Sequence, residues 1–248
     1  MSQENHGLIE RSCGCQLLYA PDLLKLPSAD YLKVGILRQA DSVEKIVNGG
    51  RGQAWFVQVS GMSLVLRAYQ RGGLVAKFNR ESYLGFSVES SRAFKEWRLL
   101  QWMSELGLPV PRPVAASVCR WPVSFSPLYR AHILLERINN VVTLDQLLTR
   151  QAAGEQLWKA IGRCIRKFHD VGVYHDDLNA SNILLAEDQS VYLIDFDKGE
   201  RRGSEPSDAQ WKQNNLARLQ RSLLKQQAKH PQYFYFEKGW QDLLFGYD

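Results

Sequence analysis

The chain has 248 residues, with 31 Lys and Arg against 26 Asp and Glu, a formal charge of +5 and a pI near 9.0. That length holds a full core in one unit, and no internal repeat, long linker, secretory leader pattern or apolar run of transmembrane length is visible. The basic balance suits an anionic partner, but without any nucleic-acid motif beside it no nucleic acid is expected, and no protein partner is predicted.

The first element that carries chemistry is Gly49-Gly50-Arg51-Gly52, a glycine-rich turn entering a strand at Gln53-Ala54-Trp55-Phe56-Val57. Glycines let backbone N–H groups approach phosphates closely, although a plain hairpin turn has the same composition. Leu64-Val65-Leu66-Arg67-Ala68-Tyr69 alternates as a strand and ends in a cation, and Gly72-Gly73 separates it from a second cation at Lys77. Phe94, Trp97, Leu100 and Met103 repeat at helical spacing over 93–103, with Glu96 inside the helix and Gly107 and Pro109 ending it. Leu108 to Val114 is an extended, proline-rich entry to the next strand, and Ile133 to Ile138 is an apolar strand running into a charged turn.

Thr143 is a good helix start, and Leu157, Ile161, Cys164, Ile165 and Phe168 form the apolar face of a further helix closed by Gly172. These are core positions. Ile183–Leu185 and Val191–Ile194 are two short strands joined by the polar turn Glu187-Asp188-Gln189. A last helix covers about 207–229, apolar at Trp211, Leu216, Leu219, Leu223 and Leu224, and basic at Lys212, Arg218, Arg221, Lys225 and Lys229. A basic face is ordinarily solvated, and it also suits an anionic surface. The aromatic tail from Tyr233 to Phe245 is expected to pack back on the domain rather than touch lipid. Cys13 and Cys15 are too close for a C-x2-C metal knuckle, Cys119 and Cys164 stand far apart in sequence, and reduced thiols are expected.

His175-Asp176-Asp177-Leu178-Asn179-Ala180-Ser181-Asn182, followed by Leu193-Ile194-Asp195-Phe196-Asp197, decides the chemistry. Each residue alone is ordinary turn chemistry. Together they set one carboxylate apart from an amide and a second carboxylate, and the predicted hairpin brings Asn182 and Asp195 to its open end. Phosphoryl transfer needs such a set, with one group at the acceptor hydroxyl and two oxygen ligands for Mg²⁺.

The pattern resembles the catalytic loop H-x-D-L-x-x-x-N and the metal-binding D-F-G of the protein-kinase superfamily. The resemblance implies an α+β, bilobal protein-kinase-like fold: a small antiparallel N-terminal lobe with one helix, over about residues 1–138, and a larger, mainly helical C-terminal lobe over about 139–248. It puts Asp177 at the catalytic-base position and Asn182 and Asp195 at the metal positions. Gly50 and Gly52 then cover the ATP phosphates, Val57 covers adenine, Glu96 steadies the phosphate-gripping cation, and backbone groups at Glu136 to Ile138 bond adenine. Arg67 is preferred as that cation, with Lys77 as the substitute.

Two departures matter. Asp176 stands where regulated protein kinases carry Arg and would repel an activation-loop phosphate, and no A-P-E anchor follows Asp195. Both point away from protein acceptors. The segments G-R-G-x-x-W-F-V, L-V-L-R-x-Y, S-R-A-F-x-E-W-R-L-L, G-L-P-V-P-R-P-V, L-L-E-R-I and L-I-D-F-D-K-G further resemble the bacterial lipopolysaccharide core kinases, and in particular those acting on 3-deoxy-D-manno-octulosonic acid (Kdo). That resemblance runs from about Gly49 to the Trp240 region. It implies transfer of the ATP γ-phosphate to the 4-hydroxyl of Kdo on a lipid A precursor, with ATP and Mg²⁺, at the cytoplasmic face of the inner membrane, on its anionic surface. Lys198, Arg201 and Arg202 are then candidates for the acceptor's anionic groups, or plain loop charges. A heptose acceptor, or a pseudokinase suggested by Arg67, are the alternatives.

Overall fold

The structure, a computed structural model, describes residues 7–12, 14–25, 27, 31–32, 36, 40–46, 53–69, 83–84, 87–120, 123–124, 126, 128–203 and 209–248. Gly50, Gly52 and Lys77 lie outside the described residues. The fold is mixed α/β and divides into two compact units, Met1–Gln101 with Pro111–Arg137, and Trp102–Val110 with Ile138–Asp248.

Alternation builds the first unit. Its strands are β1 (Leu8–Ser12), β2 (Cys15–Tyr19), β3 (Ser42–Ile46), β4 (Gln53–Val59), β5 (Met62–Ala68), β6 (Tyr83–Leu84), β7 (Pro113–Arg120) and β8 (Leu128–Glu136). They form one antiparallel sheet in the order β1-β2-β7-β8-β5-β4-β3, with β6 added against β8. Val57 pairs with Leu64 and Trp55 with Leu66, so these side chains share one face. That face closes over Leu17, Leu24, Tyr31, Leu32, Ile36, Val114 and Leu134 as a continuous apolar core. Burial of this kind, at about 25 cal/mol per Å² of apolar surface, is the main stabilising term. Helix α1 (Arg92–Glu105) buries Phe94, Trp97, Leu100 and Met103, the face predicted from spacing.

One expectation is overturned in this unit. Cys15 and Cys119 are direct partners across β2 and β7, 4.0 Å apart at Cα, and they form a disulfide instead of two free thiols. Their separation of 104 residues gives no hint of it in the sequence, because sheet register alone makes them neighbours. Cys164 is free and buried, and burial pushes its thiol up to about 12.

The second unit is built on helices around short strands. β9 (Val141–Thr143) leads into α2 (Leu144–Leu148), whose N-cap Thr143 and Gln146 cap each other reciprocally. Helix α3 (Glu155–Asp170) buries Trp158, Ile161, Ile165 and Phe168. Gly172, with φ +75°, closes it where a side chain would collide with the Arg202 carbonyl. Next come β10 (Val173–Tyr174), a 3-10 turn at Ala180–Asn182, β11 (Ile183–Ala186), β12 (Val191–Leu193), β13 (Glu200–Arg201), α4 (Ala209–Lys229) and α5 (Glu237–Tyr247). β12, β11 and β9 form one antiparallel sheet, and β10 pairs β13. The tail does fold back, with Tyr233, Tyr235, Trp240 and Leu243 buried. α5 lies so close to α3 that a Cβ on Gly162 would strike the Leu243 carbonyl. No helix among the described residues is long and apolar enough to cross a membrane.

Candidate active site

The β11–β12 hairpin pairs Ile183 with Leu193, which puts Asn182 beside Ile194 at its open end. Ile194 N–H donates to the Asn182 carbonyl at 3.1 Å. The next residue, Asp195, leaves the strand at φ +68°, a left-handed conformation that costs a non-glycine residue about 1–2 kcal/mol. Phe196 anchors that bend by packing 5.7 Å from Phe168 and 4.5 Å from the His175 ring, centroid to centroid. Backbone strain held in place by buried aromatics is a recurrent sign of a functional position.

His175 is buried and ties two segments together. Its Nε2–H donates to the Ile194 carbonyl at 2.9 Å, while Nδ1 accepts the Asp177 N–H at 3.2 Å. Acceptance at Nδ1 requires the neutral ring, and burial lowers its pKa accordingly. Asn215 of α4, also buried, accepts from His175 N–H through Oδ1 at 3.2 Å and donates through Nδ2 to the His175 carbonyl at 2.8 Å. The same Oδ1 accepts from His169 Nε2 at 3.3 Å, and His169 Nδ1 accepts from the Tyr247 hydroxyl at 2.7 Å. Burial, only partly offset by the Asn215 bond, brings His169 down to about 4. A buried polar chain therefore runs from the end of α5 to the residues flanking Asp177 and Asp195.

Within the loop, Asn179 caps the 3-10 turn by accepting from Ser181 N–H and donates to the Asp177 carbonyl at 3.0 Å. Asn182 Nδ2 donates to that same carbonyl at 2.9 Å. The Asp177 side chain faces Arg218 of α4, whose Nε and Nη2 reach the single oxygen Oδ1 at 3.2 and 2.6 Å. Burial pushes the Asp177 carboxyl up, but the Arg218 and Asn179 hydrogen bonds outweigh it and hold the group below the ordinary range. The structure thus brings Asp177 and Asn182 into one hydrogen-bonded loop, with Asp195 one residue beyond the Ile194 that both His175 and Asn182 bind.

In the first unit, Arg67 on β5 sets Nη2 against both Glu96 oxygens, at 3.0 and 2.8 Å. The Glu96 side chain is fully buried, the Arg67 side chain is 21% exposed, and Tyr69 O–H also donates to Glu96. Arg67 and Glu96 are therefore an ion pair, as expected of a phosphate-gripping cation and its helix partner. Val57 does not share their face. Arg67 pairs with Ala54 and Val65 with Phe56, so strand parity puts Phe56 and Val65 on the Arg67 side and leaves Val57 in the opposite core. Glu136 N–H donates to the Arg112 carbonyl and Arg137 N–H to Ser63, both at 2.9 Å, and these hinge donors are already engaged.

The cations after Asp195 are tied as well. Lys198 pairs Asp176 at 3.7 Å, Arg201 covers the Trp102 ring at 4.1 Å, and Arg202 covers the Tyr174 ring at 3.5 Å and bonds Glu200. Sequence reasoning counted Arg218 only within a basic helix face and did not single out Asn215, His169 or Tyr69. Asn215 did leave a signal, since it falls four residues after Trp211 and four before Leu219, a polar residue on the apolar stripe.

Residues 38–247 match the lipopolysaccharide kinase (Kdo/WaaP) family. A 3-deoxy-D-manno-octulosonic acid kinase of Mannheimia succiniciproducens is 43% identical over 205 residues, covering 80% of this chain and 82% of the relative. The enzyme of that name from Haemophilus influenzae strain PittEE is 42% identical over 205 residues, with the same coverage. The one from Xylella fastidiosa strain 9a5c is 45% identical over 180 residues, 73% of this chain and 69% of the relative.

Proposed function

Since the chain belongs to the lipopolysaccharide kinase (Kdo/WaaP) family and is a kinase, we propose that it carries the γ-phosphoryl group of ATP to the 4-hydroxyl of Kdo on a lipid A precursor. The observation that carries this reading is the Asp177–Asn182–Ile194 loop, with Asp195 turned out of β12 beside it. We read the chain as one protein-kinase-like domain with lobes over about 1–138 and 139–248, which correspond to the two units except that Trp102–Val110 falls in the second.

Asp177 orients the acceptor hydroxyl and takes its proton as the oxygen–phosphorus bond forms and the bond to the ADP oxygen breaks. A carboxylate held below its ordinary pKa is a weak base, so proton transfer comes late, once the new bond has acidified the hydroxyl. Asn182 and Asp195 offer hard oxygen ligands of the kind Mg²⁺ takes alongside substrate phosphates. With its Nδ2 committed to the Asp177 carbonyl, Asn182 keeps its oxygen for that purpose, so the donor set fits. When bound, the ion neutralises phosphate charge. Arg67, steadied by Glu96, grips the α/β-phosphates, Gly50 and Gly52 cover them, and Phe56 and Val65 replace Val57 against adenine. Ile138 supplies the hinge N–H that Glu136 and Arg137 do not.

The site of action under this reading is the cytoplasmic side of the inner membrane, held peripherally. The net charge of +5 and the exposed basic residues of α4 support attraction to an anionic surface, about 1 kcal/mol per cation near it. The test separates binding from turnover. Asp177→Asn should abolish transfer, by about a hundredfold or more, with ADP affinity intact, whereas Asp195→Asn should lose Mg²⁺-dependent nucleotide binding itself. Full turnover in Asp177→Asn refutes the assignment.

A further inference from the structure

An acceptor of the proposed kind brings a carboxylate to a site that already holds one. Asp177 carries negative charge, and Asp176 beside it is matched by Lys198 at 3.7 Å. Asn179, two residues after Asp177, is neutral; it caps the loop and hydrogen-bonds Asp177 without bringing a charge. No cation for the reacting sugar therefore comes from the loop itself. It comes from forty-one residues away, on α4.

Arg218 has five N–H donors in a fixed fork. Nε and one Nη2 hydrogen converge on Asp177 Oδ1, at 3.2 and 2.6 Å, which leaves both hydrogens of Nη1 and the second of Nη2. Among the described residues Asp177 is the only ion-pair partner Arg218 has, and the two side chains remain 45% and 53% exposed. In an exposed pair of this kind the attraction alone contributes little to stability, about 0–1 kcal/mol. Holding a guanidinium next to the reacting hydroxyl, with one edge still open, is a better account of the arrangement.

We propose that Arg218 binds the carboxylate of the acceptor sugar and hands its hydroxyl to Asp177. This rests on the Kdo reading above. In Kdo the carboxylate and the 4-hydroxyl are carried by ring carbons two bonds apart, close enough for neighbouring receptors. Arg218 sits on Asp177 Oδ1, and the hydroxyl takes the second carboxylate oxygen, so each acceptor group has its own receptor. The guanidinium also offsets the repulsion between the two carboxylates. A neutral heptose gains nothing from it, which makes Arg218 a determinant of acceptor choice.

The experiment compares two acceptors, a Kdo-bearing lipid A precursor and the same glycolipid with its Kdo carboxyl reduced to an alcohol, on wild type, Arg218→Gln and Arg218→Lys. A charge-assisted, forked contact predicts that losing the carboxylate raises the wild-type acceptor KM by about thirtyfold, with the KM for ATP unchanged. Arg218→Gln should show the same rise on the natural acceptor and almost no further rise on the reduced one, with Arg218→Lys intermediate. Equal wild-type KM values on the two acceptors overturn the proposal without any variant. Multiplying losses in Arg218→Gln, or a loss in kcat alone, also overturn it. Wild type inactive on both acceptors refutes the Kdo reading itself, and the inference with it. Mg²⁺–ADP binding by each variant confirms an intact fold.

Discussion

His169 makes the stability of the second unit depend on acidity in a calculable way. Its ring is 1% exposed, and Asn215 and Tyr247 are bonded to its two nitrogens. Burial lowers its pKa from 6.5 to about 4, the Asn215 bond and Asp170 oppose that, and Lys212 and Arg166 add to it. The folded protein thus resists a proton that the unfolded chain accepts. The neutral ring contributes stability that is complete above pH 6.5 and is lost as pH falls toward 4. At about 1.4 kcal/mol for each pH unit of displacement, the whole effect is about 3 kcal/mol, of which about 2 kcal/mol is gone by pH 5. His175, lowered in the same direction, adds to the acid loss in wild type and variant alike. The assay is urea unfolding followed by tryptophan fluorescence at pH 8 and pH 5, for wild type and His169→Gln. Wild type should lose about 2 kcal/mol more than the variant between the two conditions. Equal losses would refute the buried, neutral imidazole.

Gly162→Ala should destabilise the protein by about 2 kcal/mol or more in the same unfolding assay, because the added methyl meets the backbone of α5, which cannot rotate away. Arg67→Ala should weaken ATP binding about tenfold or more in a nucleotide titration, since a charge-assisted contact to phosphate is worth about 1.5–3 kcal/mol. An unchanged affinity would pass the phosphate-gripping role to another cation.

The parts readable from sequence are those whose cause is local. The capping box at Thr143 and Gln146, the turn at 187–189 and the apolar face of α1 each need only neighbours along the chain, and each lies where spacing predicts. The hairpin carries Asn182 and Asp195 together for the same reason. What escaped prediction depends on register or on distance. Val57 and Phe56 are adjacent in sequence and on opposite faces of the sheet, so an assignment one residue out exchanges the core face for the Arg67 face. The Cys15–Cys119 bond follows from β2 lying beside β7, which no spacing encodes. Arg218 is indistinguishable from other cations of a basic helix until α4 is laid against the loop. α5 carries Gly239 and Gly246, residues that weaken a helix in isolation, yet both are needed where it presses on Trp158 and Lys159 of α3.

The central claim is tested most directly by incubating the protein with γ-labelled ATP, Mg²⁺ and either a Kdo-bearing lipid A precursor or a heptose-bearing one, and locating the phosphate by NMR. The account predicts label on the Kdo 4-hydroxyl, none on the heptose acceptor, and none with Asp177→Asn. Label on heptose alone, or undiminished label on Kdo with Asp177→Asn, would contradict it.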